Sequence, residues 1–88
     1  NLLSFPDKGY TITFDIKNNK NLKSFYSGLE KILIKMNAKI YLTKDALMSK
    51  KYFDKIYSNK NKFIKYKKIY DPKCKFRSYQ SSRLGITQ

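Results

Sequence analysis

The chain has 88 residues, 41% of them apolar, which is room for one small domain with a modest core and too little for a nucleotide-binding domain plus a catalytic one. With no His and a single Cys (Cys74), the usual four-ligand zinc site, internal Ser-His-Asp or Cys-His catalysis and any disulfide framework are excluded. The net charge of +14 ordinarily points to nucleic acid or an anionic membrane, but 18 of the 20 basic residues are Lys.

Lys, Asn, Ile, Phe and Tyr, the amino acids that A+T-rich codons write, fill 48 of the 88 positions. A drift toward A+T produces this composition without selection for a polyanion, and phosphate and base readers favour the bidentate fork of Arg. Charge by itself therefore selects no function. The chain starts at Asn1 without an initiator Met, so it reads as processed or cut from something longer. No run of about 18 apolar residues exists to span a bilayer. The stretch Asn1–Asp7 lacks the basic head and apolar middle of a signal peptide, and a lone thiol makes reducing cytosol the default expectation.

In chain order, the first predicted element is a strand over Tyr10–Ile16. Apolar residues alternate at 10, 12, 14 and 16, and Gly9 and Lys17–Lys20 punctuate its ends. Its other face carries Thr11, Thr13 and Asp15: strand filler if it meets solvent, hydroxyls aimed at a ligand if it meets a cleft. Leu22–Met36 predicts an amphipathic helix, with Leu22, Phe25, Tyr26, Leu29, Ile32, Leu33 and Met36 on one stripe. Asn21 is its N-cap and Asn37 a left-handed residue closing its end. Ala38–Leu42 predicts a second short strand.

An irregular link then leads to a short helix capped by Ser49 and running to about Tyr57, with Tyr52, Phe53, Ile56 and Tyr57 inward. Asn59 or Asn61 starts another helix that runs to about Tyr70, with Phe63, Tyr66, Ile69 and Tyr70 as its packing stripe. Asp71-Pro72 stops it. A last turn or helix covers Ser78–Leu84.

The expected fold class is therefore α+β: a single unit over 1–88, β-α-β followed by two or three helices, with a partial antiparallel or mixed sheet. Two strands do not make a stable sheet alone, so the remaining strands are expected from elsewhere. The three glycines, Gly9, Gly28 and Gly85, are scattered, and no phosphate-cradling loop is present.

Three blocks in fixed order carry a family likeness. The first is Leu3-Ser4-Phe5-Pro6, then Gly9-Tyr10 opening the segment that ends in Phe14-Asp15-Ile16, then the helix. The second is Ala38-Lys39-Ile40-Tyr41-Leu42-Thr43-Lys44-Asp45 with Phe53 and Tyr57 beyond. The third is Tyr70-Asp71-Pro72, Phe76-x-Ser78 and Ser82-Arg83-Leu84-Gly85. Together they resemble the C-terminal end of FAD-linked oxidases of the vanillyl-alcohol-oxidase type. The decaprenylphosphoryl-β-D-ribose 2-oxidase branch is nearest in pattern, and sugar-lactone oxidases are more distant.

The resemblance implies that FAD is held chiefly by an N-terminal domain absent from this chain, and that this segment completes the substrate domain over the flavin. It implies that Lys44 lies beside the flavin and the sugar hydroxyl being oxidised, as catalytic and cofactor-contacting residue, and that Tyr41 lines the same cleft. Thr11 and Thr13 match substrate-facing positions. A lysine suits hydride transfer, because an ammonium steadies developing negative charge and an amine can accept the hydroxyl proton. The implied partners are the remainder of a parent oxidase chain and a sugar or lipid-linked sugar. A lipid-linked substrate suits peripheral contact with an anionic membrane, where the lysines could help. Nucleic acid is not expected as a partner on this reading. The rival readings are a small Lys-rich nucleic-acid-binding module, with salt-dependent affinity, and an adaptor whose sheet edge recruits a strand.

Overall fold

A computed structural model describes residues 1–13 and 15–87; Phe14 and Gln88 lie outside the described residues. Among these, the elements in order are α1 (Leu22–Lys35), a 3₁₀ turn at Leu42–Lys44, α2 (Lys50–Ile56), α3 (Lys60–Tyr70) and α4 (Tyr79–Arg83).

No strand forms among the described residues, so the α+β expectation with its partial sheet is overturned: this chain is helical, with long irregular connections. The reasons differ for the two segments. Around Tyr10–Ile16, Tyr10 and Ile12 stand out in solvent, and no described residue supplies the ladder of donors and acceptors that alternation alone cannot provide. Phe14, the centre of that expected strand, lies outside the described residues. At Ala38–Leu42 the carbonyls are taken by side chains. The Tyr52 hydroxyl donates to the Ala38 carbonyl, and the Tyr57 hydroxyl donates to the Ile40 carbonyl at 2.6 Å. Tyr52 of α2 and Tyr57 at its C-terminal end thus occupy acceptors that a neighbouring strand would have used.

The helices begin and end where local chemistry dictates. Ser49 accepts the Tyr52 N–H at 3.1 Å, a side-chain cap for α2. Ser78 and Ser81 exchange hydrogen bonds in a capping box at the start of α4. Asn37 adopts φ 52° after α1, as expected, and the Ala38 and Asn37 N–H groups bond back to Leu33 and Ile34, a Schellman closure. Gly85, at φ 74°, closes α4 the same way, with Ile86 and Gly85 bonding to Ser81 and Ser82. Asn21 caps α1 by position only, without a side-chain bond.

The core is small and centred on α2: Met48, Tyr52, Phe53, Ile56, Tyr57 and Leu84 are buried, with Leu33, Ile34, Ile40 and Leu42 packed around them. The predicted inward face of α2 is the observed one. For α1 the face is rotated. Glu30 is buried and accepts the Ser49 N–H at 2.9 Å, placing a carboxylate at the start of α2. Phe25, Ile32 and Met36, read as core, point outward, each more than half exposed. α3 contributes no fully buried residue; of its expected packing stripe Phe63 is partly buried, while Tyr66, Ile69 and Tyr70 are exposed and not covered by the described residues.

Candidate functional site

The link between Tyr41 and Met48 is the most heavily tied irregular segment, and Asp45 is its hub. The Asp45 side chain is 1% exposed. It accepts the N–H groups of Leu47 (3.0 Å) and Met48 (2.7 Å), so the chain folds around it in an Asx-type turn. Two side chains from α4 close the other side. Gln80 donates to the Leu42 carbonyl at 2.6 Å and reaches Asp45 at 3.3 Å. Arg83 pairs with the Asp45 carboxylate and donates to the Ala46 carbonyl at 2.7 Å. Such a set of donors offsets the cost of taking a carboxylate out of water.

Lys44 and Tyr41 sit on the outward side of this clasp. The Lys44 N–H donates to the Tyr41 carbonyl at 3.1 Å, closing the 3₁₀ turn that puts both residues on one bend. Lys44 is exposed and its ammonium makes no ion pair among the described residues, although Lys39, Lys50, Lys60 and Lys67 each do. Tyr41 is about half exposed and packs on Phe5, ring centroids 5.1 Å apart at 44°. The two rings border an open hollow of about 460 Å³, with Ser4, Leu42 and Thr43 also on its wall.

Thr11 and Thr13 are not part of this arrangement. They lie exposed on the extended N-terminal segment, and no hydrogen bond joins them to Tyr41 or Lys44 among the described residues. The structure thus brings together Tyr41 and Lys44 and leaves the two threonines apart.

Behind the clasp lies a cluster of neutral phenols. Burial first, and then the nearby carboxylates of Asp45 and Glu30, push the Tyr26 phenol well above its ordinary value of 10. Its hydroxyl finds no partner among the described residues. Burial is also the leading cause for Tyr52, raised likewise, and for Tyr57, pushed up to about 12 with Asp45 adding to the effect. These groups stay protonated, so none is a base; Tyr52 and Tyr57 serve as donors.

Asp45, Gln80 and Arg83 are the residues to which residue-by-residue reading assigned no role. Asp45 and Arg83 stand 38 positions apart, and each appeared only as part of an ordered pattern. The available signal was the polar run Thr43-Lys44-Asp45 in a segment otherwise apolar from Ile40 to Met48.

The three scattered glycines, Gly9, Gly28 and Gly85, offer no cradle for FAD. Lys44 stands exposed on the turn after Tyr41 but does not line the hollow bordered by Phe5 and Tyr41, and no run of glycines is available to approach a diphosphate. No curated protein and no solved structure matches the chain. The family model of D-arabinono-1,4-lactone oxidase matches residues 10–84, nearly the whole chain, spanning the extended segment, the Tyr41–Lys44 turn and both partners of the Asp45–Arg83 pair. The chain therefore belongs to the D-arabinono-1,4-lactone oxidase family of FAD-linked oxidases, as a segment of the C-terminal type.

Proposed function

We propose that this chain is one wall of the substrate site in a larger oxidase that removes hydride from a hydroxyl-bearing carbon of a sugar, sugar lactone or lipid-linked sugar, with Lys44 facing the reacting hydroxyl. The observation that carries the reading is the clasp. Asp45, Gln80 and Arg83 hold the Tyr41–Lys44 turn from behind and leave the ammonium free on the outer side. A lysine serving only solubility needs no such support.

FAD, when bound by the remainder of the parent chain, supplies the hydride acceptor. Lys44 Nζ would donate to the substrate oxygen as ammonium, or take its proton as amine. Tyr41 and Phe5 would present ring faces to the sugar's C–H surface. Thr11 and Thr13 would meet substrate once the rest of the parent chain covers the extended segment. Phe25, Ile32 and Met36 form the outward stripe of α1, and their exposure supports covering by that same remainder.

The test is made in the flavin-loaded parent oxidase. Lys44→Ala is expected to keep flavin content and melting temperature while turnover falls by about 10²–10⁴-fold. Lys44→Arg keeps the positive charge without a usable base, so it separates charge stabilisation from proton transfer. Wild-type turnover in a folded, flavin-loaded Lys44→Ala enzyme would overturn the assignment.

A further inference from the structure

Tyr41 takes its aromatic neighbour from a segment that is barely attached. Residues 1–18 form no helix and no strand among the described residues, and Phe5, which packs on Tyr41, comes from this stretch. Leu3 packs against the buried core. Apolar contact is non-directional, so it draws the segment inward without fixing where Phe5 comes to rest.

The fixing contacts converge on one atom. Among the described residues, each hydrogen bond or ion pair between residues 1–18 and the rest of the chain ends on Lys39 Nζ. It donates to the Ser4 carbonyl at 3.4 Å and pairs with the Asp7 carboxylate at 3.8 Å. It also lies 5.8 Å from the centroid of the Tyr57 ring, within cation–π range. The Lys39 side chain is 27% exposed and that of Asp7 74%, so the carbonyl and the ring weigh more than the ion pair.

Lys39 is itself held on both sides. The Ala38 carbonyl before it accepts from Tyr52, and the Ile40 carbonyl after it accepts from Tyr57 at 2.6 Å. Residues of the core thus fix the backbone around Lys39, and its ammonium fixes the chain at Ser4. Phe5, the next residue, is thereby set against Tyr41.

We propose that Lys39 is a positioning residue for substrate: it holds Phe5 against Tyr41 and so shapes the hollow of about 460 Å³ that receives the C–H face of a sugar ring. The inference rests on the reading of Tyr41 and Lys44 as substrate-site residues, and it divides their labour. Lys44 faces the reacting hydroxyl, so its loss is read in kcat. Lys39 acts only through the two rings, which hold the sugar equally before and during reaction, so its loss is read in KM.

The test has two arms. In the 88-residue chain, nuclear Overhauser contacts between the Phe5 and Tyr41 rings are compared in wild type, Lys39→Met and Lys39→Arg. Methionine keeps an unbranched apolar stem and loses the charge. The contacts are expected in wild type and Lys39→Arg, and are expected to vanish in Lys39→Met while those of the α2 core persist. In the flavin-loaded parent oxidase, with D-arabinono-1,4-lactone as probe, Lys39→Met should raise KM about tenfold, the equivalent of one lost net hydrogen bond. Its kcat and flavin content should stay within about twofold of wild type, and Lys39→Arg should restore KM. Phe5→Leu removes the ring and leaves the tether, so it should raise KM by a similar factor. The double variant should be no more than about twofold worse than either single one, because both changes act through the same ring. Ring contacts absent from wild type or persisting in Lys39→Met overturn the proposal, as does an unchanged KM once they are lost, or a full multiplication of the two effects in the double variant. Wild-type turnover in Lys44→Ala would instead sink the reading on which it rests, whatever Lys39 does.

Discussion

The Arg83 guanidinium grips the Asp45 carboxylate with one arm and the Ala46 carbonyl with the other, so one side chain of α4 fixes two successive residues just behind Lys44. Removing it would leave a carboxylate that is 1% exposed with backbone N–H groups and Gln80 as its remaining donors. Arg83→Ala is expected to cost about 3 kcal/mol, at the lower end for a broken buried pair because those donors persist. Arg83→Lys should recover only part, since an ammonium cannot span both acceptors. Urea unfolding gives the magnitudes. Amide exchange at Leu47 and Met48 should quicken well before the helices unfold; a variant as stable as wild type would deny the clasp its role.

Tyr57 donates to Ile40 across 17 residues, and its phenol is pushed up to about 12 from an ordinary 10, by burial first and then by Asp45. A group whose acidity is weakened by folding stabilises the fold fully below its unfolded value. That contribution is lost as pH rises from 10 through about 12. Tyr57→Phe should therefore remove from the alkaline phenolate absorbance a component centred near pH 12. The same variant should lose about 1–3 kcal/mol near neutrality, because the Ile40 carbonyl loses its donor. A missing component centred near pH 10 would contradict the geometry.

These two bonds also explain what could be read from the residues and what could not. Ser49, Asn37 and the inward stripe of α2 were legible, because caps and helical faces depend on residues a few places apart. The strands were not. Alternation at Tyr10–Ile16 is a local signal, but a strand exists only where a distant segment pairs with it. At Ala38–Leu42 the competing acceptors of the backbone were claimed by Tyr52 and Tyr57, from a helix that followed. Glu30 faces inward and accepts the Ser49 N–H, 19 residues on, a partner that the local pattern of α1 does not reveal, while Phe25, Ile32 and Met36 lie outside. Tyr41 and Lys44 were singled out only through a family pattern, and the 3₁₀ turn that joins them replaces the end of the expected strand. The pair that supports it, Asp45 with Arg83, joins positions 38 apart and needed coordinates.

The two methionines provide a matched comparison of core and surface. Met48 is wholly buried against α2, whereas Met36 is 69% exposed at the end of α1. Met48→Ala should cost about 2–5 kcal/mol, the transfer of its side chain plus the cavity left behind. Met36→Ala should change stability by no more than about 0.5 kcal/mol in this chain. In the intact oxidase the second value should rise, because the outward stripe of α1 would then be covered. Thermal melts of both variants in both contexts check this; a Met36 effect identical in the two would mean that stripe faces solvent in the parent as well.

Asp71 ends α3 and holds the loop to Phe76, and its carboxyl is kept below the usual 3.8, chiefly by the Lys67 ammonium, against a smaller opposing effect of burial and with help from the Phe76 and Lys75 N–H groups. The sign follows from the charged form being favoured on folding. The contribution is present above the unfolded value and disappears as pH falls through the lower, folded one. The Lys75 and Phe76 amide resonances should therefore shift together on acidification, with a midpoint below 3.8. The loop should loosen over that same interval while the α2 core persists. Asp71→Asn keeps acceptor capacity but loses the charge, so it should abolish the titration and weaken the Lys67 contact at every pH. A midpoint at or above the ordinary value would show that Lys67 does not hold the carboxylate in solution, and the loop to Phe76 would lose its support.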